Sequence, residues 1–376
     1  MTRHMFRAVP STLFFLAASL MLGSASAAAQ TEGSPTSSAA VPVPSRSIWK
    51  QMLTPNPGGD ELLLAFAADS ETDIWAVGDF LSLNFNGHVW NVIPLAFPGG
   101  QSAMNGVTVI SPTDVWAVGS TESANHVTSV IEHFDGQRWT IVPSPQFLNG
   151  SVLQSVRAFS VNDIFAVGGS NSDHTQVKPL IEHYDGTQWT VVHTPALKNV
   201  KSATLFTIAG LSHSDFWIAG DSEGNTGIPV VLHFDGQKFI QVSFPEAGGT
   251  IRGIAEIASN DAWIVGTGSD GFPLTVHWDG SAWKSVAGPK PGTSSGFNAV
   301  SAVSSTSVWA TGGVGFANLV EHWDGKSWKI SPIASPGDLN VLSTTLAFRS
   351  GSVFVGGTTL HTNGFEPQVF HTTKGK

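Results

Sequence analysis

Seven copies of one short pattern recur along this chain: Trp75-Ala-Val-Gly78, Trp116-Ala-Val-Gly119, Phe165-Ala-Val-Gly168, Trp217-Ile-Ala-Gly220, Trp263-Ile-Val-Gly266, Trp309-Ala-Thr-Gly312 and Phe354-Val-Gly-Gly357. Their leading aromatics are 41, 49, 52, 46, 46 and 45 residues apart. A period of about 45 residues, built from short β-rich runs, is that of an array in which each repeat forms one four-stranded blade around a central channel. The expected fold is therefore all-β: a seven-bladed β-propeller with four antiparallel strands, a to d, in each blade.

In the second unit the pattern predicts strand a over residues 106–110, b over 115–119, c over 129–134 and d over 138–142. Asp135-Gly136 separates c from d, and the same dipeptide returns at Asp185-Gly186, Asp235-Gly236, Asp279-Gly280 and Asp324-Gly325, with Asn86-Gly87 in the first unit. Asp-Gly between β-rich runs is a hairpin signal that predicts a type I′ turn. The seventh unit supplies a (342–348), b (352–356) and c (368–371), then stops short of a d strand. The missing strand is found at the other end, where residues 48–55 match the d pattern of 138–145. Pairing the N-terminal strand with the last blade closes the ring and leaves no open sheet edge between the termini.

This register absorbs the large aromatics. Trp75, Trp116, Trp217, Trp263 and Trp309 fall in the b column, Trp278 and Trp323 in c, and Trp49, Trp90, Trp139, Trp189, Trp283 and Trp328 in d, which accounts for all 13. The single Tyr, Tyr184, falls in c. Packing between blades is the default role for such rings, so no aromatic platform for sugars is evident.

The first 29 residues read as a secretory signal peptide: basic Arg3, His4 and Arg7, an apolar run from Leu13 to Leu22, and a small-residue end at Ser24-Ala-Ser-Ala-Ala-Ala29. That run is well short of the roughly 20 residues needed to span a bilayer. Residues 30–46, rich in Ser, Ala and Pro, read as a flexible linker, and 47–376 as the propeller. The expected location is thus secreted or periplasmic, with no membrane insertion after cleavage. Of 18 Lys and Arg, two lie in the signal region, leaving 16 against 28 Asp and Glu. So acidic a chain argues against nucleic acid as a partner. The absence of Cys excludes disulfides and thiolate chemistry.

A b strand ending in Gly or Gly-Gly, a variable loop, then aromatic-Asp-Gly-x-x-Trp resembles the kelch-type repeat of galactose-oxidase-like propellers. Gly168-Gly169, Gly312-Gly313 and Gly356-Gly357 carry the double glycine, and Phe134-Asp135 with Trp139 the second half. The Trp-Ala-Val-Gly and His-Trp-Asp-Gly units also resemble those of exported bacterial propellers of unassigned function. Four units depart from the kelch pair, with Asp79, Ser120, Asp221 or Thr267 after a single Gly. The copper centre of galactose oxidase needs a Cys-linked Tyr, which a Cys-free chain cannot make. Sialidases share a similar turn, but here Asp and Gly are adjacent and Tyr184 belongs to a packing column. The resemblance covers residues 47–373 and implies a fold, not an activity.

His133, His183, His233, His277 and His322 precede the c-strand aromatic and His371 takes the equivalent place in the last unit, one in each of six blades. Metal ligands must converge on one ion, so this column reads as structural, as do Glu132, Glu182 and Glu321 beside it. Asp73, Asp114, Asp163, Asp215 and Asp261 sit two residues before the b aromatic, where Asp is expected to bond local backbone amides. No catalytic motif, metal site or cofactor is expected.

The irregular positions carry more information. Regular a–b and c–d turns share one face, which sends the variable b–c and d–a loops to the other, where function tends to sit. Eleven residues before each b aromatic, strand a presents Leu64, Asn105, Gln154, Phe206, Arg252, Asn298 and Ser343 to the channel mouth. Arg157 and Glu256 are charged intruders among otherwise small strand-a residues. Asn105, Gln154, Arg157, Arg252, Glu256 and Asn298 are the candidate ligand-binding set, against the alternative of a solvated channel. The b–c loops add His126, Asn171, Asp173, His174, Glu223, Asn225, Asp270 and His361, while Phe272, Phe316 and Phe365 align with packing positions at the start of strand c. Asp173-His174 and Glu256 are the acid–base candidates. The reading is an exported, monomeric binding or interaction module for an extracellular protein or glycan. Its alternatives are a polysaccharide hydrolase or lyase acting over the channel, and a purely structural scaffold.

Overall fold

The computed structural model describes residues 48–372, except 59, 98–100, 124–125, 172–175, 223–226, 293 and 363. The expected signal peptide and linker lie outside the described residues, as do Asp173, His174, Glu223 and Asn225. Every regular element described is a β-strand, and no helix among the described residues is long and apolar enough to cross a membrane. The strands form seven four-stranded sheets. In blade two, a is Gln101–Ser111, b Asp114–Ser123, c His126–Phe134 and d Trp139–Ile141, each antiparallel to the next. Strands a to c thus run further toward the loop face than the apolar pattern predicts. Apart from the buried Ala103 and Met104, the added length of blade two is mostly polar, and its hydroxyls pair: Ser102 Oγ donates to Thr121 Oγ1 at 2.8 Å and Ser151 Oγ of blade three to Ser129 Oγ at 2.9 Å.

Blade seven closes as expected. Its sheet order is Trp49–Met52, Gly364–Thr372, Val353–His361, Leu339–Ala347, with Trp49 opposite Thr372 and Met52 opposite Val369. Apolar burial is concentrated between blades rather than within them. One cluster joins Trp75 and Val77 of blade one to Met104, Val115 and Trp139 of blade two, and another joins Leu63 and Ile74 to Phe354 and Val369 across the closure. The b-column Trp of one blade meets the d-column Trp of the next edge-on, as in Trp75–Trp139 at 5.6 Å and Trp217–Trp283 at 5.1 Å. Trp49 meets Trp309 in the same way at 5.7 Å, which identifies it as the d residue of blade seven.

Two local expectations are corrected. In the c–d turns φ is positive at Gly136 and its equivalents Gly87, Gly186, Gly236, Gly280 and Gly325, but not at the Asp before them. A type I′ turn needs positive φ at both central residues, so these turns are not type I′. Asp135 stands just outside and accepts the Gln137 and Arg138 amides, both at 2.9 Å. In the a–b turns, Ser70, Ser111, Ser160, Ser304 and Ser350 accept the amide two residues on. The Asp side chains are thereby left for the c strand. Asp114, Asp163, Asp215 and Asp261 accept from His133, His183, His233 and His277 at 2.7–2.9 Å. Those rings lie on the b aromatics, as in His133–Trp116 with centroids 4.4 Å apart. A third expectation fails at Phe316, which is 71% exposed rather than packed.

A candidate binding site in the central channel

The channel lining follows from a backbone irregularity repeated seven times. Pairing between strands a and b slips by one residue between Leu63 and Ala65, Met104 and Gly106, Leu153 and Ser155, Leu205 and Thr207, Ile251 and Gly253, Phe297 and Ala299, and Leu342 and Thr344. The extra residue in each bulge is the one placed eleven before the b aromatic: Leu64, Asn105, Gln154, Phe206, Arg252, Asn298 or Ser343. A bulge re-aims the side chain it carries, and all seven line one cavity of about 410 Å³.

The Gly of the repeated motif makes the bulge sterically possible. Gly119 lies opposite Met104, beside the slip, and a Cβ there would stand 1.9 Å from Ala103 O. At the other six motif glycines the same carbonyl contact would be 1.8–2.0 Å.

All six candidate residues line this cavity, but at two depths. Asn105, Gln154, Arg252 and Asn298 belong to the bulge ring. Asn105 Nδ2 donates to Leu153 O and Asn298 Nδ2 to Leu342 O, both at 2.9 Å, so each amide ties its blade to the next. Arg252 Nη1 donates to Asp221 Oδ2 and to Ile251 O, both at 3.0 Å, while its guanidinium lies 4.3 Å from the Phe206 ring centroid. Asp221 is one of the residues that replaces the second kelch Gly, and its role here is to hold that Arg. Among the described residues, no hydrogen bond holds the Gln154 side chain, which lines the cavity.

Arg157 and Glu256 sit three and four residues further along strand a, roughly 10 Å deeper at ~3.3 Å per residue. Arg157 Nη2 donates to Gly210 O at 3.0 Å, at the blade-four strand end that leads into the a–b turn. The expected single mouth containing both arginines is therefore divided into a ring and a deeper cluster. Burial in the channel lowers the Arg157 pKa, and the neighbouring Glu256 charge opposes this. Burial and the Asp215 charge push Glu256 up to about 8, although the Leu211 backbone, the Trp217 indole and Arg157 pull the other way. Among the described residues, neither Glu256 oxygen has a well-formed hydrogen bond. Burial thus favours the neutral form of the Glu256 carboxyl, which weakens its hold on Arg157.

Two groups outside the candidate set have surroundings that the sequence does not reveal. Asp79 is pushed up to about 7 by burial. His213, in the blade-four a–b turn, reaches Asp163 of blade three, with Nδ1 2.9 Å from Oδ1 and 2.8 Å from Oδ2. It stands outside the repeated His column, so no periodicity singles it out. Of the remaining b–c loop candidates, Asp270 pairs with Lys290 at 3.0 Å and His361 lies 3.9 Å from Glu366.

No family model matches the sequence, and no curated protein matches it either. The fold does have solved counterparts. A structure described as YCF48 bound to D1 peptide is 14% identical with a TM-score of 0.60, covering 89% of this chain and 100% of that one. The RRP9 WD40 repeats are 11% identical with a TM-score of 0.58, over 86% and 97% of the two chains. A streptogramin B lyase is 13% identical with a TM-score of 0.59, over 85% and 96%. At such identities the likeness shows a seven-bladed propeller and nothing finer. It extends across distinct propeller families and does not single out the kelch type.

Proposed function

We propose that this chain is an exported propeller that binds a segment of a partner protein in the mouth of its channel. Gln154 would meet the partner at the bulge ring, with Arg252, Asn105 and Asn298 shaping it, and Arg157 and Glu256 would meet it deeper. The observation carrying this reading is the ring itself: seven bulges turn side chains into one cavity, and those side chains differ from blade to blade while the scaffold repeats. A volume near 410 Å³ suits a side chain or chain end, at the small end of ligand pockets. Arg157, faced by a carbonyl and a Glu256 that burial biases toward its neutral form, favours an acidic or acceptor group at the tip of that segment. A solved propeller of similar fold described as bound to a peptide supports a protein partner over a glycan. The signal-like first 29 residues support export.

The test is a binding screen of the exported chain from residue 30 against secreted proteins and glycans, with Gln154→Ala and Arg157→Ala as probes. A protein partner whose affinity drops about tenfold or more in both variants supports the reading. Binding that ignores both changes defeats it. Turnover of polysaccharide pools would favour the hydrolase or lyase alternative, and neither binding nor turnover would favour a scaffold.

A further inference from the structure

The turn face, opposite the proposed mouth, carries a constellation that the repeat does not require. Blades two, four and five each pair one Asp with one His (Asp114–His133, Asp215–His233, Asp261–His277). Blade three has the same pair, Asp163–His183 at 2.8 Å, and receives a second imidazole from its neighbour: His213 Nδ1 lies 2.8 Å from Asp163 Oδ2. Among the described residues this is the one place where three such groups gather with ligand atoms within 4.8 Å of one another. We propose that Asp163, His183 and His213 form a surface site for one divalent first-row transition ion at the junction of blades three and four.

The geometry can accommodate an ion with little movement of the ligand atoms. First-row ions hold imidazole nitrogen and carboxylate oxygen at about 2.0–2.2 Å, which sets neighbouring ligand atoms about 3 Å apart. The His–Asp separations already match that spacing. The position of His213 is one that leans on the preceding blade by construction. Its blade-one equivalent, Glu71, accepts Ser352 Oγ of blade seven at 2.7 Å. Elsewhere the position holds Pro112, Val161, Ser259, Ser305 or Ser350, none of which supplies a comparable ligand.

Blade three also differs in the ring beneath. In blade two the Trp116 indole donates to Asp114 Oδ1 at 2.9 Å, whereas Phe165 has no N–H to spend on Asp163. Both imidazoles are held before any ion arrives: His183 stacks on Phe165 at 4.3 Å, and His213 lies 5.8 Å from Phe165 and 5.7 Å from Phe234. The ligating nitrogens, His183 Nε2 and His213 Nδ1, present lone pairs once each neutral ring carries its proton on the other nitrogen. His213 is about half exposed, which leaves the remaining coordination positions to water. Two His, one carboxylate and open positions suit Zn²⁺, Co²⁺, Ni²⁺ or Cu²⁺ rather than Ca²⁺ or Mg²⁺, which take oxygen ligands.

The experiment uses the full chain, free of any affinity tag and stripped with a chelator. Zn²⁺ is titrated by calorimetry, and Co²⁺ by its visible absorption. One ion per chain is expected, with an affinity that falls about tenfold or more in His213→Ala and in Asp163→Asn. His133→Ala, which removes a two-member pair, should leave it within about twofold. Thermal midpoints without metal check that each variant is folded, and His213, in an exposed turn, is the least disruptive of the three. No saturable Zn²⁺ binding in the parent chain, or an unchanged affinity in folded His213→Ala, would overturn the proposal.

Discussion

Glu321→Leu tests how the interblade core handles charge. Glu321 is fully buried on strand c of blade six, and among the described residues neither carboxyl oxygen has a hydrogen-bond partner. In blade two the equivalent Glu132 accepts the Ala96 and Phe97 amides of the preceding linker at 2.7 and 3.0 Å. Six residues past the d-column Trp283, where Ala96 stands relative to Trp90, blade six has Pro289, which has no N–H to donate. A Cβ on the adjacent Gly288 would lie 3.5 Å from Glu321 Oε2, so the carboxyl does face this linker. Burial pushes its pKa from 4.5 up to about 8. Between those values the folded chain holds a proton that the unfolded chain has released, so stability falls as pH rises, by about 1.4 kcal/mol per pH unit. Leu83 and Leu232 occupy the same register in blades one and four, opposite Val92 and Gln241 as Glu321 is opposite Ile330. Leucine therefore fits. The stability advantage of Glu321→Leu over the parent should grow by roughly 3 kcal/mol between about pH 5.5 and pH 7.5 and level off above about pH 8. Urea unfolding followed by Trp fluorescence at a series of pH values measures it. An advantage that stays constant across that range would refute the assignment of a neutral buried carboxyl.

Other outcomes follow from the same contacts. Trp49→Ala should cost about 3–5 kcal/mol in urea unfolding, because it removes the Trp309 contact and the bond to Ser331 Oγ; a cost well under 1 kcal/mol would deny the closure its role. Gly220→Ala would set a Cβ 2.0 Å from Thr204 O and should cost about 3 kcal/mol while disturbing the Phe206 bulge; a neutral effect on the denaturation midpoint would contradict the steric account. Arg252→Ala should cost roughly 2 kcal/mol by removing a charge-assisted bond to Asp221, and Gln154→Ala less than about 0.5 kcal/mol. Equal costs in chemical denaturation would show that Arg252 is not the structural member of the ring.

Blade number, strand count and ring closure could be read from the chain because they rest on local periodicity: alternation, Asp-Gly turns and an aromatic every 41–52 residues. The position of each ring residue was readable for the same reason, as an offset from the b aromatic. What lay beyond reach depends on contacts between blades. That the offset position is a bulge, and that the motif Gly exists to admit it, emerges only when strand a is laid against strand b. Whether a charged residue is spent or available is decided by its neighbours across a blade boundary: Arg252 is held by Asp221, while Arg157 faces a carbonyl. The tandem histidines read as structural by periodicity, and most are. His213 has no repeat partner, and its meeting with Asp163, 50 residues earlier, exists only because the ring sets blade four beside blade three. Local pattern determined the scaffold because each strand obeys its own alternation. The chemistry waited for the tertiary structure because burial and partnership are properties of surfaces that the chain brings together only on closing the ring.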